Sequence, residues 1–256
     1  MHPSDFDTLL TTHNGFSRTV YRKGTGPIVV ILPEIPGLHR STFELARKIA
    51  DHDFSVYLLS LFGEDNEPFR YRDAIKKIGH VCINREFAVL ASRRSSPIID
   101  WVRSFCCTLQ SQSNSGIGLI GMCITGNFAL GLLAEPWMLA PVLSQPSLPL
   151  GRPSGLHVDP QTLQKAKEKT ELEILGLRFS NDIMCPKQRF ERLHSEFSDR
   201  FHAIDIDSSI GNSHHIPLYA HSVLTKDFVD KEGHPTHEAL QKTIAFLQMR
   251  LKGHIL

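Results

Sequence analysis

Residues 118–126 read G-L-I-G-M-C-I-T-G, and the fold is decided there. Residues 116–120 have the composition of a buried strand, and from about Cys123 to Leu133 the chain reads as a helix that is apolar nearly all round. A helix with no polar face must be buried. A strand passing through one tight turn into such a helix is the unit of a parallel sheet covered on both faces. The turn has the form G-x-Nu-x-x-G with Cys123 in the nucleophile position. Small residues at Gly121 and nearby are needed because the turn is tight and the nucleophile takes strained dihedrals. At the helix start the dipole favours thiolate, and the Ile124 N–H points where an oxyanion would form. The plain alternative is a core cysteine after a strand. Thr125 stands where such a turn usually carries Gly, Ala or Ser.

Working outward, short apolar runs alternate with amphipathic ones. Strands are expected at 16–21, 28–32, 54–59, 138–143, 172–179 and 201–206. Helices are expected at 40–51, with Ser41 as N-cap, and at 97–109, 160–169, 186–197 and 237–251. Residues 63–96 are charged, helical in flavour and not resolved by pattern. The alternation predicts one α/β domain over residues 1–256, with ligands bound just past the carboxyl ends of the strands.

Composition narrows the function. The chain has 256 residues, with 28 Lys+Arg against 27 Asp+Glu, so a nucleic-acid partner is not expected. Its 41% apolar content supports a sizeable core, and 21% charged is too low for disorder. The longest strongly apolar run, Ile28 to Leu32, is far short of a membrane span, and the first residues lack a secretory pattern. A cytoplasmic location is therefore expected, with no membrane partner. Five cysteines at 82, 106, 107, 123 and 185 form no CxxC pair, which argues against a disulfide scaffold. His214 and His215 are adjacent but lack an H-E-x-x-H setting, so neither a metal nor a cofactor is expected.

A nucleophile needs a base, and the base an orienting group. F-S-N-D-I-M-C-P puts Asp182 just past a strand end; its plain alternative is a turn or helix cap. After the last strand come His214, His215 and His221, in the chain order nucleophile, acid, histidine. The residues alone leave all three open as the base. V-V-I-L-P-E-I-P-G-L places Glu34 directly after a strand, where the loop N–H groups could complete an oxyanion hole, or where Glu34 could be a plain turn acid.

These segments together resemble the dienelactone hydrolase family of α/β-hydrolases, from about Gly26 to His221. The family's Q/P-E-I-F/W-G, G-x-C-x-G-G, G-x-D-x-x-V/I-P and G/A-H-x-F segments appear as P-E-I-P-G, G-M-C-I-T-G, S-N-D-I-M-C-P and A-H-S-V-L. The resemblance implies an α/β-hydrolase fold, mostly parallel, with helices on both faces. It makes Cys123 the nucleophile, His221 the base, Asp182 the orienter and Glu34 the carboxylate that meets the resting thiol. Ile35 and Ile124 would lend oxyanion N–H groups. The implied chemistry is hydrolysis of enol-lactones and related esters through an acyl-thioester. Thr225 occupies the place of the family's substrate-binding arginine, with Lys226 adjacent, and the chain before His221 is longer than usual. Arg85, in N-R-E-F, is a candidate anion clamp or simply a solvated charge.

The expected partner is a small-molecule ester or lactone, on a monomer or weak homodimer. Two rival readings are a silent binding protein, with Thr125 crowding the elbow, and a thiol redox protein pairing Cys123 with Cys185.

Overall fold

The computed structural model describes residues 3–62, 65, 96–113, 115–147, 153–156 and 158–253. Eight strands form one sheet: β1 (Asp7–His13), β2 (Phe16–Lys23), β3 (Ile28–Leu32), β4 (Ser55–Leu59), β5 (Ile117–Met122), β6 (Met138–Ser144), β7 (Ile174–Phe179) and β8 (Phe201–Ile206). Their order is β1-β2-β4-β3-β5-β6-β7-β8. β1 and β2 are antiparallel and β2 meets β4 antiparallel, whereas every pairing from β4 to β8 is parallel. The helices are α1 (Arg40–Ala50), α2 (Pro97–Ser113), α3 (Ile124–Leu130), α4 (Pro160–Glu168), α5 (Lys187–Phe197) and α6 (Pro235–Lys252).

Strand parity sorts the apolar residues into two cores, because alternate side chains leave opposite faces of a pleated strand. Val29 and Ile31 of β3 join Phe43 and Ile49 of α1 and Ile244 and Leu247 of α6 on one face. Val30 and Leu32 join Trp101 and Phe105 of α2, Phe128 of α3 and Phe190 of α5 on the other. β3, β4, β5 and β7 are buried throughout their lengths, which is why they read as unbroken apolar runs. The crossovers carry every strand from β3 onward in one direction, so the loops after β3, β5, β6, β7 and β8 gather at one edge of the sheet.

Three local expectations need correction. β1 was not foreseen: D-T-L-L-T-T-H lies mostly exposed at the sheet edge and pairs on one side only, so burial imposes no pattern on it. Its hairpin signal was nonetheless in the sequence, since Asn14 and Gly15 both take positive φ, at 50° and 79°. Helix α1 is capped at His39 rather than Ser41, which lies inside the helix. The buried helix after the elbow stops at Leu130 and continues as turns, not to Leu133. Among the described residues no helix is long and apolar enough to cross a membrane.

Candidate active site

Cys123 sits between β5 and α3 with φ 55° and ψ −124°, a conformation that costs a non-glycine residue energy and persists only where its surroundings enforce it. The Cys123 N–H donates to the Ser144 carbonyl at 3.1 Å, and the Cys123 carbonyl accepts from Gly126 N at 3.1 Å and Ser147 N at 2.9 Å. A Cβ on Gly121 would lie 2.5 Å from the Thr125 carbonyl oxygen, and one on Gly126 would lie 2.8 Å from Pro146 Cα. Both positions therefore demand glycine. Thr125, the residue on which the silent-protein reading rested, has its hydroxyl engaged with the backbone. Its Oγ1 accepts from Met122 N at 2.9 Å and lies 3.1 Å from the Leu32 carbonyl and 2.9 Å from the Met122 carbonyl, tying the elbow to the end of β3.

Beyond β7, the Asp182 N–H returns to the Phe179 carbonyl at 3.2 Å, and its carboxylate accepts from Met184 N at 2.9 Å. The other carboxylate oxygen lies 2.7 Å from His221 Nδ1. His221 comes from the loop after β8, where Asp227 accepts from the N–H groups of His221 at 2.8 Å and Ser222 at 3.0 Å. Burial pulls the His221 pKa down, but the neighbouring Cys123 sulfur and the Asp182 carboxylate outweigh it and hold the imidazole well above its usual range. The structure thus brings Cys123, His221 and Asp182 together. His214 packs edge-on against the His234 ring at 5.5 Å, and both His214 and His215 are exposed.

Glu34 is fully buried beyond β3, but it does not meet the thiol. It accepts from Ser222 Oγ at 2.6 Å and from Thr225 Oγ1, and lies 3.1 Å from His39 Nε2. Burial pushes the Glu34 carboxyl up, yet His39 and the two hydroxyls more than offset this and leave it below the usual carboxylate range. The expected Glu34–thiol contact is therefore replaced by a closed knot, because the hydroxyls nearest it satisfy both oxygens. Among the described residues, neither the Ile35 nor the Ile124 N–H has an acceptor, and Ile124 is the first residue of α3. Arg85 lies outside the described residues. Among the described residues no three His, Cys, Asp or Glu side chains cluster as a metal site.

A model of the dienelactone hydrolase family matches residues 17–249. The chain belongs to the dienelactone hydrolase family. Membership makes it a carboxylic-ester or lactone hydrolase with the α/β-hydrolase fold. Solved structures agree on the fold. A dienelactone hydrolase-like promiscuous phosphotriesterase from metagenomic libraries is 14% identical with TM-score 0.66, over 96% of this chain and 98% of that one. A putative dienelactone hydrolase from Klebsiella pneumoniae is 15% identical with TM-score 0.58, over 95% and 99%. A cold-adapted esterase from an Arctic intertidal metagenomic library is 13% identical with TM-score 0.61, over 95% and 93%. No curated protein matches the chain.

Within this dienelactone hydrolase-family site, sequence reasoning missed the supporting groups. His39, Ser222, Thr225 and Asp227 organise the loop that carries His221. Arg189 is buried at 2% exposure, and its guanidinium donates to the carbonyls of Pro146 at 2.6 Å, Met184 at 2.9 Å and Gly155 at 3.3 Å. It thereby clamps the Asp182 loop to the turn after β6. Asp227, an acid shortly after a candidate histidine, and His39, five residues past Glu34, left local signs in the sequence; Ser222 and Thr225 reach Glu34, and Arg189 reaches Pro146, across long separations.

Proposed function

We propose that this hydrolase uses Cys123 as nucleophile against a small-molecule carboxylic ester or lactone and passes through an acyl-thioester. The observation that carries the reading is a cysteine in a strained elbow conformation beside a histidine that is itself bound to a buried aspartate.

The Cys123 thiolate attacks the carbonyl carbon, forming the C–S bond, and the carbonyl π pair moves onto oxygen. The Ile35 and Ile124 N–H groups receive that oxyanion. As it collapses, the C–O bond breaks and His221 Nε2–H protonates the leaving oxygen; in a lactone the new hydroxyl stays tethered. Neutral His221 then takes a proton from water, the hydroxide adds to the thioester carbon, and the thiolate departs. The carboxylic acid product loses its proton to solvent, and the thiolate–imidazolium pair is restored. No cofactor enters these steps.

Thr225 is turned onto Glu34 and gives the site no cation where the family binds an anionic substrate, so less charged esters are favoured over a dianionic lactone. The redox alternative is poorly served by its resolving partner. Cys185 is fully buried, and burial, together with the nearby Asp182 carboxylate, pushes its thiol far up. Hydrolysis of aryl esters, lactones and thioesters by the purified protein, compared with Cys123→Ala, tests the reading. Turnover must vanish in the variant; retained turnover refutes the nucleophile.

A further inference from the structure

The turn after β6 is gripped from four sides. Gln145 N–H donates to the Leu177 carbonyl at 2.6 Å and Ser147 N–H to the Cys123 carbonyl at 2.9 Å. Arg189 Nη1 donates to the Pro146 carbonyl at 2.6 Å, and Asn127 Nδ2 to the Ser147 carbonyl. Ser147 is buried, and its hydroxyl lies 3.5 Å from His221 Nε2 and 2.8 Å from the Gln145 carbonyl oxygen. A hydroxyl has one hydrogen, and the shorter contact takes it. Toward the ring, Ser147 Oγ is therefore an acceptor. His221 Nδ1 faces Asp182 and donates there, so a hydrogen on Nε2 as well exists only in the imidazolium. Ser147 matches the protonated ring and opposes its neutral form.

We propose that Ser147 is a positioning residue of the triad, its Oγ sharing with the Cys123 sulfur the Nε2–H of the His221 imidazolium and so holding that proton beside the sulfur. Its part in turnover rests on the cysteine-hydrolase reading above; the hydrogen bond itself does not. Once Cys123 has added to the carbonyl and its sulfur is no longer anionic, Ser147 still accepts Nε2–H until the leaving oxygen takes the proton. The Nε2 lone pair then faces an oxygen lone pair, which favours proton removal from the incoming water. The other groups around His221 are Cys123 from the elbow, Asp182 from the loop after β7 and Asp227 on its own loop. Arg189 and Cys185 act on the Cys123–Asp182 pair, and Glu34 holds the adjacent Ser222. Ser147 differs from all of these in addressing the Nε2 hydrogen without carrying charge.

The test uses purified wild type, Ser147→Ala and Ser147→Thr, with the His221 ring followed by ¹⁵N NMR against pH and assigned with His221→Gln. In Ser147→Ala the His221 midpoint should fall by about half to one pH unit. The basic limb of kcat should fall with it, kcat should drop about 3–30-fold and KM should stay within about twofold. Ser147→Thr, which keeps the hydroxyl, should restore both. An unmoved midpoint in folded Ser147→Ala, or a threonine variant as displaced as the alanine one, overturns the proposal. Ser147→Gly supplies the same readout where the alanine variant does not fold. Wild type without Cys123-dependent turnover defeats the hydrolase mechanism alone, because the midpoint still decides the role of Ser147.

Discussion

Two buried carboxylates, Glu34 beyond β3 and Asp182 beyond β7, are served by adjacent residues of one loop, Ser222 and His221. Glu34 is closed: two hydroxyls and His39 occupy its oxygens deep in the fold. Asp182 is open: its partner His221 turns a second ring nitrogen toward Ser147 and is coupled to Cys123. On the proposed reading, the same functional group is structural in one place and orients a proton-carrying histidine in the other. What separates them is whether the partner has a second titratable face at Cys123. Their pH signatures are opposite as well. Glu34 has a depressed pKa, so its contribution to stability is present above the unfolded carboxylate value and is lost as pH falls through the folded one. His221 has a raised pKa, so its contribution is full below the unfolded imidazole value and is lost as pH rises through the folded one.

The comparison breaks most visibly in turnover. His221→Gln should lower kcat by about 10²–10⁴, whereas His214→Gln and His215→Gln should stay within about tenfold of wild type. A dead His214 or His215 variant beside an active His221→Gln would move the base elsewhere. Asp182→Asn, which removes the orienting charge, should cost about 10²-fold or more in kcat with little change in KM. Glu34→Gln should instead act on stability. Chemical denaturation near neutral pH should show a loss of about 1.5–3 kcal/mol, with activity reduced less than tenfold. That difference from wild type should shrink as pH falls below about 4. A Glu34→Gln variant of unchanged stability but abolished turnover would make Glu34 part of the chemistry after all. Thr225→Val, which deletes one hydroxyl from the closed knot, should show the smallest effect, about 1 kcal/mol of stability.

Much of this was legible in the chain. The parallel strands could be read because burial on both faces forces continuous apolar composition, as in I-V-V-I-L of β3. The elbow could be read because its geometry excludes side chains at Gly121 and Gly126. β1 escaped because an exposed edge strand is under no such constraint. Asp182 and His221 were reached through local motifs, but the choice among three histidines needed the family resemblance rather than any property of the loop. The Glu34 knot was misread because its partners Ser222 and Thr225 lie far along the chain, and nothing local marks a serine or threonine as a carboxylate donor. The bonds of Thr125 escaped sequence reading for a related reason, since its hydroxyl meets backbone groups that only the folded turn brings near.

The nucleophile carries the whole reading, and acyl trapping tests it most directly. Purified protein is mixed with an activated aryl ester, quenched in acid within the first turnovers, digested and analysed by mass spectrometry. The acyl mass should appear on the peptide containing Cys123, should be released by neutral hydroxylamine as a thioester is, and should be missing in Cys123→Ala. Acylation of a serine, or steady hydrolysis that continues in Cys123→Ala, would contradict it.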